Sequence, residues 1–190
     1  MPPWGGKTAR LGNNPFVMAL PTDEGTVLLD MAMTQYSFGK LSTTRIAGKQ
    51  LPYPGGFDND GNLTSDPGSI EASMRPLPIG YWKGSAFAFV LDLLASVFSE
   101  GIGAAKMDDV GKGSCGGCSQ VFIAIDHTKI STKEYINELK TQLDAFIKSA
   151  DTAESGGIRS PGEGFAAARA DAQENGVWID DGMWEEICAL

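Results

Sequence analysis

The first part of the chain alternates between short apolar runs and turn-forming residues. Residues 15–21 and 25–33 are largely apolar, and the TDEG sequence between them is a turn signal, so we predict two neighbouring strands. Apolar residues fill 27–29 without interruption, which is typical of a strand covered on both faces. Residues 39–68 are rich in Gly, Pro, Asn and Asp and predict a long loop, a kind of segment that is usually functional or contacts a partner.

One predicted helix is unusually apolar. Within residues 85–101 the polar side chains Ser85, Asp92, Ser96 and Ser99 fall on one narrow stripe at helical spacing, and nearly all other positions are apolar. This pattern predicts a helix that is buried over most of its circumference. Gly101 is a suitable residue just beyond its C-terminus.

The second part of the chain contains both strand-like and helical patterns of apolar residues. Residues 119–125 read as a strand, and 131–150 as a helix opened by a capping box of Ser131 and Glu134. A break rich in Gly, Ser and Pro at 155–164 precedes a short helix at 165–174, a strand-like stretch at 176–179 and a last helix at 183–189. This order of strands and helices predicts an α/β fold with a mixed sheet.

Composition narrows the possible partners. A formal net charge of −9 over 190 residues argues against nucleic-acid binding, which needs clustered Lys and Arg. The longest apolar run, 86–98, contains Asp92 and is too short to cross a bilayer, so we expect no membrane partner. The N-terminal sequence lacks the apolar stretch of a signal peptide, and three cysteines make no disulfide framework, which together favour the cytoplasm.

The segment GKGSCGGCSQ, residues 111–120, matches two motif templates, and both fail on context. Its GxGxxG is followed by a predicted strand, whereas a dinucleotide fingerprint links a strand to a helix. Its CxxC would need two further ligands to hold zinc, and only Cys188 and His127 remain. We therefore interpret the segment as a glycine-rich loop and predict no metal site.

Two plainer features are stronger candidates for function. Lys83, Gly84 and Ser85 begin the apolar helix, where unpaired amides and a nearby ammonium group would suit a phosphate. Asp30 ends an apolar strand, and ligands in α/β sheets gather beyond strand ends. Each feature has an equally good structural explanation. Ser85 could be an ordinary helix cap beside a solvated Lys83, and Asp30 could be a turn carboxylate.

Several segments together resemble the type-2 malate/L-lactate dehydrogenase family of NAD(P)-dependent oxidoreductases: PPWGGKTARLGNNPF, LLDMAMTQYSFGKL, LPYPGGFDNDGNLTSDP, LPIGYWKGSAFAFVLDLLA and SQVFIAID. The resemblance runs from residue 1 to residue 190 and is similar to the C-terminal part of the family. It implies a cofactor-binding domain without the Rossmann fold over 1–150 and a C-terminal helical subdomain over 151–190.

The resemblance also implies where a cofactor would lie. Residues at the strand end, at the start of the apolar helix and in the C-terminal part are expected to bind NADH or NADPH, with NAD favoured: Thr26, Val27, Leu28, Leu29, Asp30, Met31, Ala32, Trp82, Lys83, Gly162, Glu163 and Gly164. Asp30 is expected to support catalysis. At 162–164 the chain has Gly-Glu-Gly where the most similar reductases have Gly-His-Glu.

The implied activity is NAD(P)H-dependent reduction of a keto-sugar acid, a small-molecule substrate, by a homodimer. The family's Ser-His-Gly and Asn-x-x-His segments, which supply the proton-donating histidine, are not in this sequence. We therefore expect a truncated chain with little activity alone. A 2-hydroxy-acid dehydrogenase of malate, lactate or ureidoglycolate type, and a non-catalytic cofactor-binding or oligomerisation remnant, remain as alternatives.

Overall fold

A computed structural model of the chain describes residues 1–107, 109, 117–152 and 157–189. Its residues group into two compact units. Unit 1 comprises Met1–Val17 and Asp30–Ile125, and unit 2 comprises Met18–Leu29 and Asp126–Leu190. These units do not follow the boundary at residue 150, and the assignment of a function to each predicted domain stays a prediction.

The first two predicted strands are confirmed. β1 spans Phe16–Thr22 and β2 spans Gly25–Met31, and the two are hydrogen-bonded neighbours. The connection between them has two residues, Asp23 and Glu24, which is the length of an antiparallel hairpin. A second small sheet pairs β3, Gly56–Phe57, with β4, Leu63–Thr64, in antiparallel register.

Seven α-helices lie within the described residues, so the mixed α/β class is confirmed. They are α1 Phe38–Ile46, α2 Pro67–Ser73, α3 Trp82–Ser99, α4 Ala104–Met107, α5 Lys133–Lys148, α6 Phe165–Asn175 and α7 Asp181–Cys188. A 3₁₀ turn at His127–Lys129 precedes α5. The helices predicted at 85–101, 131–150, 165–174 and 183–189 correspond to α3, α5, α6 and α7.

Unit 1 contains two apolar clusters. The first is formed by Met1, Met33 and Ala88, with half-buried apolar side chains around them: Leu11, Phe16, Met31, Ile79 and Leu91. The second, under α1 and α2, is formed by Leu41, Leu51 and Ile70. These clusters fix the start of α3 and the end of β2 in unit 1.

In unit 2, α5 holds the tip of the β1–β2 hairpin. Asn137 donates from Nδ2 to the Asp23 carboxylate at 2.6 Å and accepts at Oδ1 from the Asp23 amide at 3.1 Å. Lys140 reaches Glu24 at 3.1 Å. The helix itself is capped by Thr132, whose hydroxyl accepts from the Tyr135 amide, and not by the predicted Ser131.

The prediction of a long loop over 39–68 is wrong, because α1 lies largely inside it. The Ser37 hydroxyl accepts from the Lys40 amide at 3.1 Å and caps the helix, and Leu41 and Thr44 are buried. The helix contains Gly39 and three threonines or serines, which form helices poorly by themselves. Packing against α2, which no local pattern reveals, stabilises it.

The prediction that α3 is buried over most of its circumference is also wrong. Only Gly84, Ser85 and Ala88 are buried, and large apolar side chains on the other half of the helix are exposed: Phe89, Val90, Leu93, Leu94, Val97 and Phe98. Small residues allow the inner face to pack closely on unit 1, while the described residues leave the outer face uncovered. By length and composition alone the 18 residues of α3 could cross a membrane, so the shortness of the run 86–98 does not by itself exclude a membrane partner.

The strands predicted at 119–125 and 176–179 are not formed within the described residues. The side chains of Phe122 and Ile123 are 86% and 80% exposed. Strand formation depends on pairing with a neighbour more than on an intrinsic preference, and none of the strands in the described ranges pairs with these apolar stretches. The glycines and Cys115 of the two motif templates at 111–116 lie outside the described residues.

Candidate functional site

The start of α3 follows a tight turn. Gly80 has a φ of 57°, Tyr81 has φ 60° and ψ −116°, and the Lys83 amide donates to the Gly80 carbonyl at 3.2 Å. These are the features of a type II′ turn, whose second position strongly favours glycine. Tyrosine at this position stores strain of about 1–3 kcal/mol, which is characteristic of functional sites.

The same turn uses most of the amides that were predicted to be free. The Gly84 amide donates to the Ile79 carbonyl at 2.8 Å, and the Ser85 amide donates to Tyr81 at 3.3 Å. Among the first four amides of α3, only that of Trp82 has no backbone carbonyl acceptor in the described part of the chain. A phosphate here would therefore rely on Lys83 and the Trp82 amide.

Ser85 neither caps α3 nor faces solvent. It is 9% exposed, and its Oγ accepts a hydrogen bond from the Trp4 amide at 2.9 Å. Trp82 and Lys83 remain exposed, and Lys83 forms none of the ion pairs found within the described residues. These two side chains are thus the accessible part of the predicted phosphate site.

An aromatic pair beside the turn was missed by the sequence analysis. The rings of Trp4 and Tyr81 have centroids 5.2 Å apart and planes inclined at 55°. Both side chains are more than half exposed. No local pattern links residues so far apart in sequence, and only the position of Tyr81 after a glycine hinted at an unusual turn.

The strand residues predicted to run along a cofactor are divided between the units. In unit 1, Asp30 is exposed, Ala32 is half-buried, and Met31 packs against the Met1, Met33 and Ala88 cluster. In unit 2, Thr26 and Leu29 are exposed, and Val27 and Leu28 are half-buried. The exposure of Leu29 is at odds with the prediction of a strand covered on both faces.

Within unit 2 the structure brings two of the predicted groups together. Gly162 has a φ of +84°, and a Cβ added to it would lie 2.6 Å from the Thr26 carbonyl oxygen and 2.9 Å from the Leu28 amide nitrogen. Such distances exclude a side chain. Glycine at this position therefore lets the 162–164 segment lie directly against β2.

The carboxylate of Glu163 is already bound within unit 2. It accepts from Lys148 Nζ at 2.7 Å and from the Ser160 amide at 2.8 Å. The Lys148 hydrogen bond, followed by that of Ser160, lowers the pKa of Glu163. Gly164 precedes α6 as its N-cap, and a Cβ there would meet nothing within 4 Å.

His127 is one of the residues that line a small cleft in unit 2. Its volume is about 110 Å³, and Asp23, Lys133 and Asn137 are among its lining residues. Nδ1 of His127 is buried and has no hydrogen-bond partner within the described residues. No group of three or more His, Cys, Asp or Glu side chains suited to a metal ion occurs in the described ranges.

Comparison with known proteins places these features in a family. The model of the malate/L-lactate dehydrogenase family matches residues 1–188. A 2,3-diketo-L-gulonate reductase of Escherichia coli is 41% identical over 191 aligned residues, an alignment that covers 100% of this chain and 57% of the reductase. The chain thus spans little more than half the length of the curated relatives it matches.

Solved structures share the fold. A sulfolactate dehydrogenase from Methanocaldococcus jannaschii is 27% identical with a TM-score of 0.75, covering 100% of this chain and 55% of that one. A malate dehydrogenase from Entamoeba histolytica gives a TM-score of 0.84 at 18% identity, over 99% of this chain and 56% of its own. The mixed α/β arrangement is therefore that of dehydrogenases.

Proposed function

Since the chain belongs to the malate/L-lactate dehydrogenase family, we propose that it forms the cofactor-binding part of an NAD(P)H-dependent reductase of a keto-sugar acid such as 2,3-diketo-L-gulonate. The observation that carries the proposal is the pair Trp82 and Lys83, which is exposed at a strained turn. Lys83 belongs to no ion pair in the part of the chain that the structure describes, and an ammonium group of this kind beside a helix start fits the phosphates of a dinucleotide.

The proposed cofactor residues fall into one group in each unit. In unit 1, Lys83 would neutralise phosphate charge, Trp82 would contact the cofactor, and Asp30–Ala32, at and just beyond the end of β2, would run beside it. In unit 2, Thr26–Leu29 and Gly162–Gly164 would form a second set of contacts. NADH is favoured over NADPH.

The chemistry divides between cofactor and protein. When bound, the reduced nicotinamide supplies the hydride that reduces the substrate ketone. Asp30 would accept hydrogen bonds and orient substrate or the proton donor, because its carboxylate is exposed at the strand end. The proposed proton donor is a histidine in segments that these 190 residues do not contain.

The finer features of the fold belong to the same proposal. We infer a cofactor domain without the Rossmann fold, a C-terminal helical subdomain, a homodimer and a cytoplasmic location. A 2-hydroxy-acid dehydrogenase is the second candidate activity, favoured by the likeness to malate and sulfolactate dehydrogenases. A non-catalytic cofactor-binding or oligomerisation module is the third, because the chain spans 57% of the reductase it matches.

The proposal is tested by titrating NADH and NADPH into the chain. Wild type is expected to bind NADH, and Lys83→Ala to raise the Kd about tenfold by removing a charge-assisted phosphate contact. Lys40→Ala, on the exposed side of α1, is the matched control and should leave the Kd unchanged. Failure of wild type to bind either nucleotide would refute cofactor binding.

Turnover is a separate readout. With NADH and 2,3-diketo-L-gulonate, the 190 residues alone are expected to react at background rate, because the proposed proton donor is not among them. Robust turnover would assign proton donation to a residue of this chain. Turnover of malate or lactate would favour the second candidate activity.

A further inference from the structure

Trp4 and Tyr81 form an aromatic surface in unit 1 that is more than half exposed. The centroid distance of 5.2 Å and the tilt of 55° are those of a stable aromatic pair. Exposures of 53% for Trp4 and 60% for Tyr81 leave ring surface open to a ligand. Flat aromatic faces of this kind stack planar heterocycles with little regard for their substituents.

The backbone at both residues is fixed by hydrogen bonds. The Trp4 backbone is tied to the start of α3 through its amide, which donates to the buried Oγ of Ser85 at 2.9 Å. Tyr81 is fixed by the turn bond from Lys83 to Gly80 at 3.2 Å and by the bond from Gly84 to Ile79 at 2.8 Å. A surface fixed in this way loses little conformational entropy when a ligand binds.

Tyrosine is an unfavourable choice for the backbone at position 81. Glycine would adopt the φ of 60° without strain, whereas tyrosine supplies a ring. A bulky side chain in so strained a conformation points to a function of the ring itself. Its partner Trp4 makes the surface about two rings wide.

The chemistry beside the rings identifies the class of ligand. Lys83 follows Tyr81 by two residues, and its side chain lies against Gly80, where an added Cβ would be 3.7 Å from Lys83 Cβ. A nucleotide has both a phosphate, which the Lys83 ammonium group could bind, and a planar ring, which could stack on the Trp4–Tyr81 pair. We propose that the Trp4–Tyr81 pair stacks one planar ring of the nicotinamide dinucleotide, an inference that rests on the proposed function.

Two variants test the pair by different routes. Tyr81→Gly removes the ring from a turn position whose φ suits glycine, so the turn is kept. Trp4→Leu removes the other ring and retains the backbone amide that bonds Ser85. Trp178→Leu is the matched control, because Trp178 is an 82% exposed tryptophan in unit 2.

The measurement is the NADH affinity from energy transfer between tryptophan and bound NADH, checked by calorimetry. Tyr81→Gly and Trp4→Leu are each expected to raise the Kd about tenfold, as removal of a stacking partner does, and Trp178→Leu to change it less than twofold. ADP-ribose and reduced nicotinamide mononucleotide, titrated in parallel, show which ring stacks, since only the fragment that carries it should lose affinity.

The outcomes separate this inference from the proposed function. If wild type binds NADH and both variants stay within twofold of it, the aromatic surface is refuted and cofactor binding stands. If wild type binds neither NADH nor NADPH, both fail. Variants that keep full affinity but change the oligomeric state would show that the pair is a protein contact instead.

Discussion

Two backbones approach each other at Gly162 more closely than a side chain would permit. The residue combines a φ of +84° with the 2.6 Å and 2.9 Å approaches to β2 that a Cβ would make. The unfavourable φ and the collision with backbone atoms are separate penalties, and neither can be relieved by moving a flexible side chain. The position therefore reports directly on whether the 162–164 segment lies against β2.

Gly162→Ala is expected to lower the free energy of unfolding by about 2–4 kcal/mol, the sum of a left-handed φ and a forced backbone shift. Chemical denaturation measures the loss. Gly157→Ala is the control for φ alone, because it has a φ of +73° with nothing within 4 Å, and it should cost about 1 kcal/mol. Equal losses for both variants would contradict the packing of Gly162 on β2.

For single residues, the sequence indicated which side chains are candidates for the site but not which hydrogen bonds they make. Trp82 and Lys83 are exposed, whereas Ser85 accepts a hydrogen bond from the Trp4 amide and Glu163 accepts one from Lys148. Both partners are chosen by the tertiary fold across many residues. No spacing rule finds a hydrogen bond between a loop amide at residue 4 and a helical hydroxyl at residue 85.

At the scale of elements, α5 and the segment that precedes α6 are joined by side-chain hydrogen bonds. Ser160 donates from Oγ to Asp144 at 2.6 Å, and Lys148 donates to Glu163 at 2.7 Å. The Ser160 hydroxyl, followed by Lys140, lowers the pKa of Asp144. The pKa of Glu163 is lowered too, with Lys148 as the main cause.

Both shifts have the same sign for stability. A carboxyl group whose pKa is lower in the folded state stabilises it above the unfolded pKa, near 4 for Asp and Glu, and this contribution is lost as the pH falls through the folded value. Acidification from about pH 5 is therefore expected to loosen the segment 157–164 from α5. A smaller protection factor for the amides of that segment at pH 3 than at pH 6, with the exchange rate at each pH divided into the intrinsic rate at that pH, measures the effect.

Removal of the two carboxylates should reduce this acid response. In Asp144→Asn with Glu163→Gln, the segment is expected to be looser already at pH 6 and to change little on acidification. Glu138→Gln is the control, because its carboxylate accepts from Gln142 on the same helix. An unchanged acid response in the double variant would mean that other groups control the attachment.

Elements defined by local chemistry were predicted well. The β1–β2 hairpin follows from two apolar runs around a turn, and α5 to α7 follow from helical periodicity and breaks. The wrong predictions concern segments whose structure depends on packing or pairing with other segments. α1 forms because α2 packs on it, and residues 119–125 lack a strand because, within the described chain, no other strand pairs with them.

At the scale of the whole molecule, the outer half of α3 is the most conspicuous surface in unit 1. Phe89, Val97 and Phe98 are each at least 60% exposed. Exposed apolar patches of this kind promote association. The net charge of −9 opposes association but does not cover the patch.

The double variant Phe89→Glu with Val97→Glu is expected to reduce self-association and dye binding to apolar surface. Light scattering and a fluorescent apolar probe measure both, and the unfolding temperature should change by no more than a few degrees, because exposed positions contribute little to stability. The control Ala88→Glu, at a fully buried position, should unfold unit 1. A comparable loss of stability in the double variant would show that the outer face is covered.

The family was predicted from a series of similar sequence segments, whereas the helices and strands were predicted from apolar periodicity. Apolar periodicity correctly predicted α3 but wrongly predicted that its outer face is buried. The periodicity shows that a face is apolar, and it does not show which residues, if any, cover that face. The ordered series of segments from PPWGG to SQVFIAID indicated the dehydrogenase family, which the match over residues 1–188 confirms. The site residues within that family assignment stay predictions.

The stretch VFIAI at residues 121–125 bears on the tendency of the chain to aggregate. It is uncharged and exposed, and its backbone forms no hydrogen bond with the described residues. Apolar β-formers in that state add readily to an identical strand on another copy, which is how ordered aggregates begin. Asp126 ends the run, and its carboxylate is held by Thr128 at 2.6 Å. A negative charge directly after such a run is the kind of gatekeeper residue that opposes strand addition, so Asp126→Asn is expected to increase aggregation.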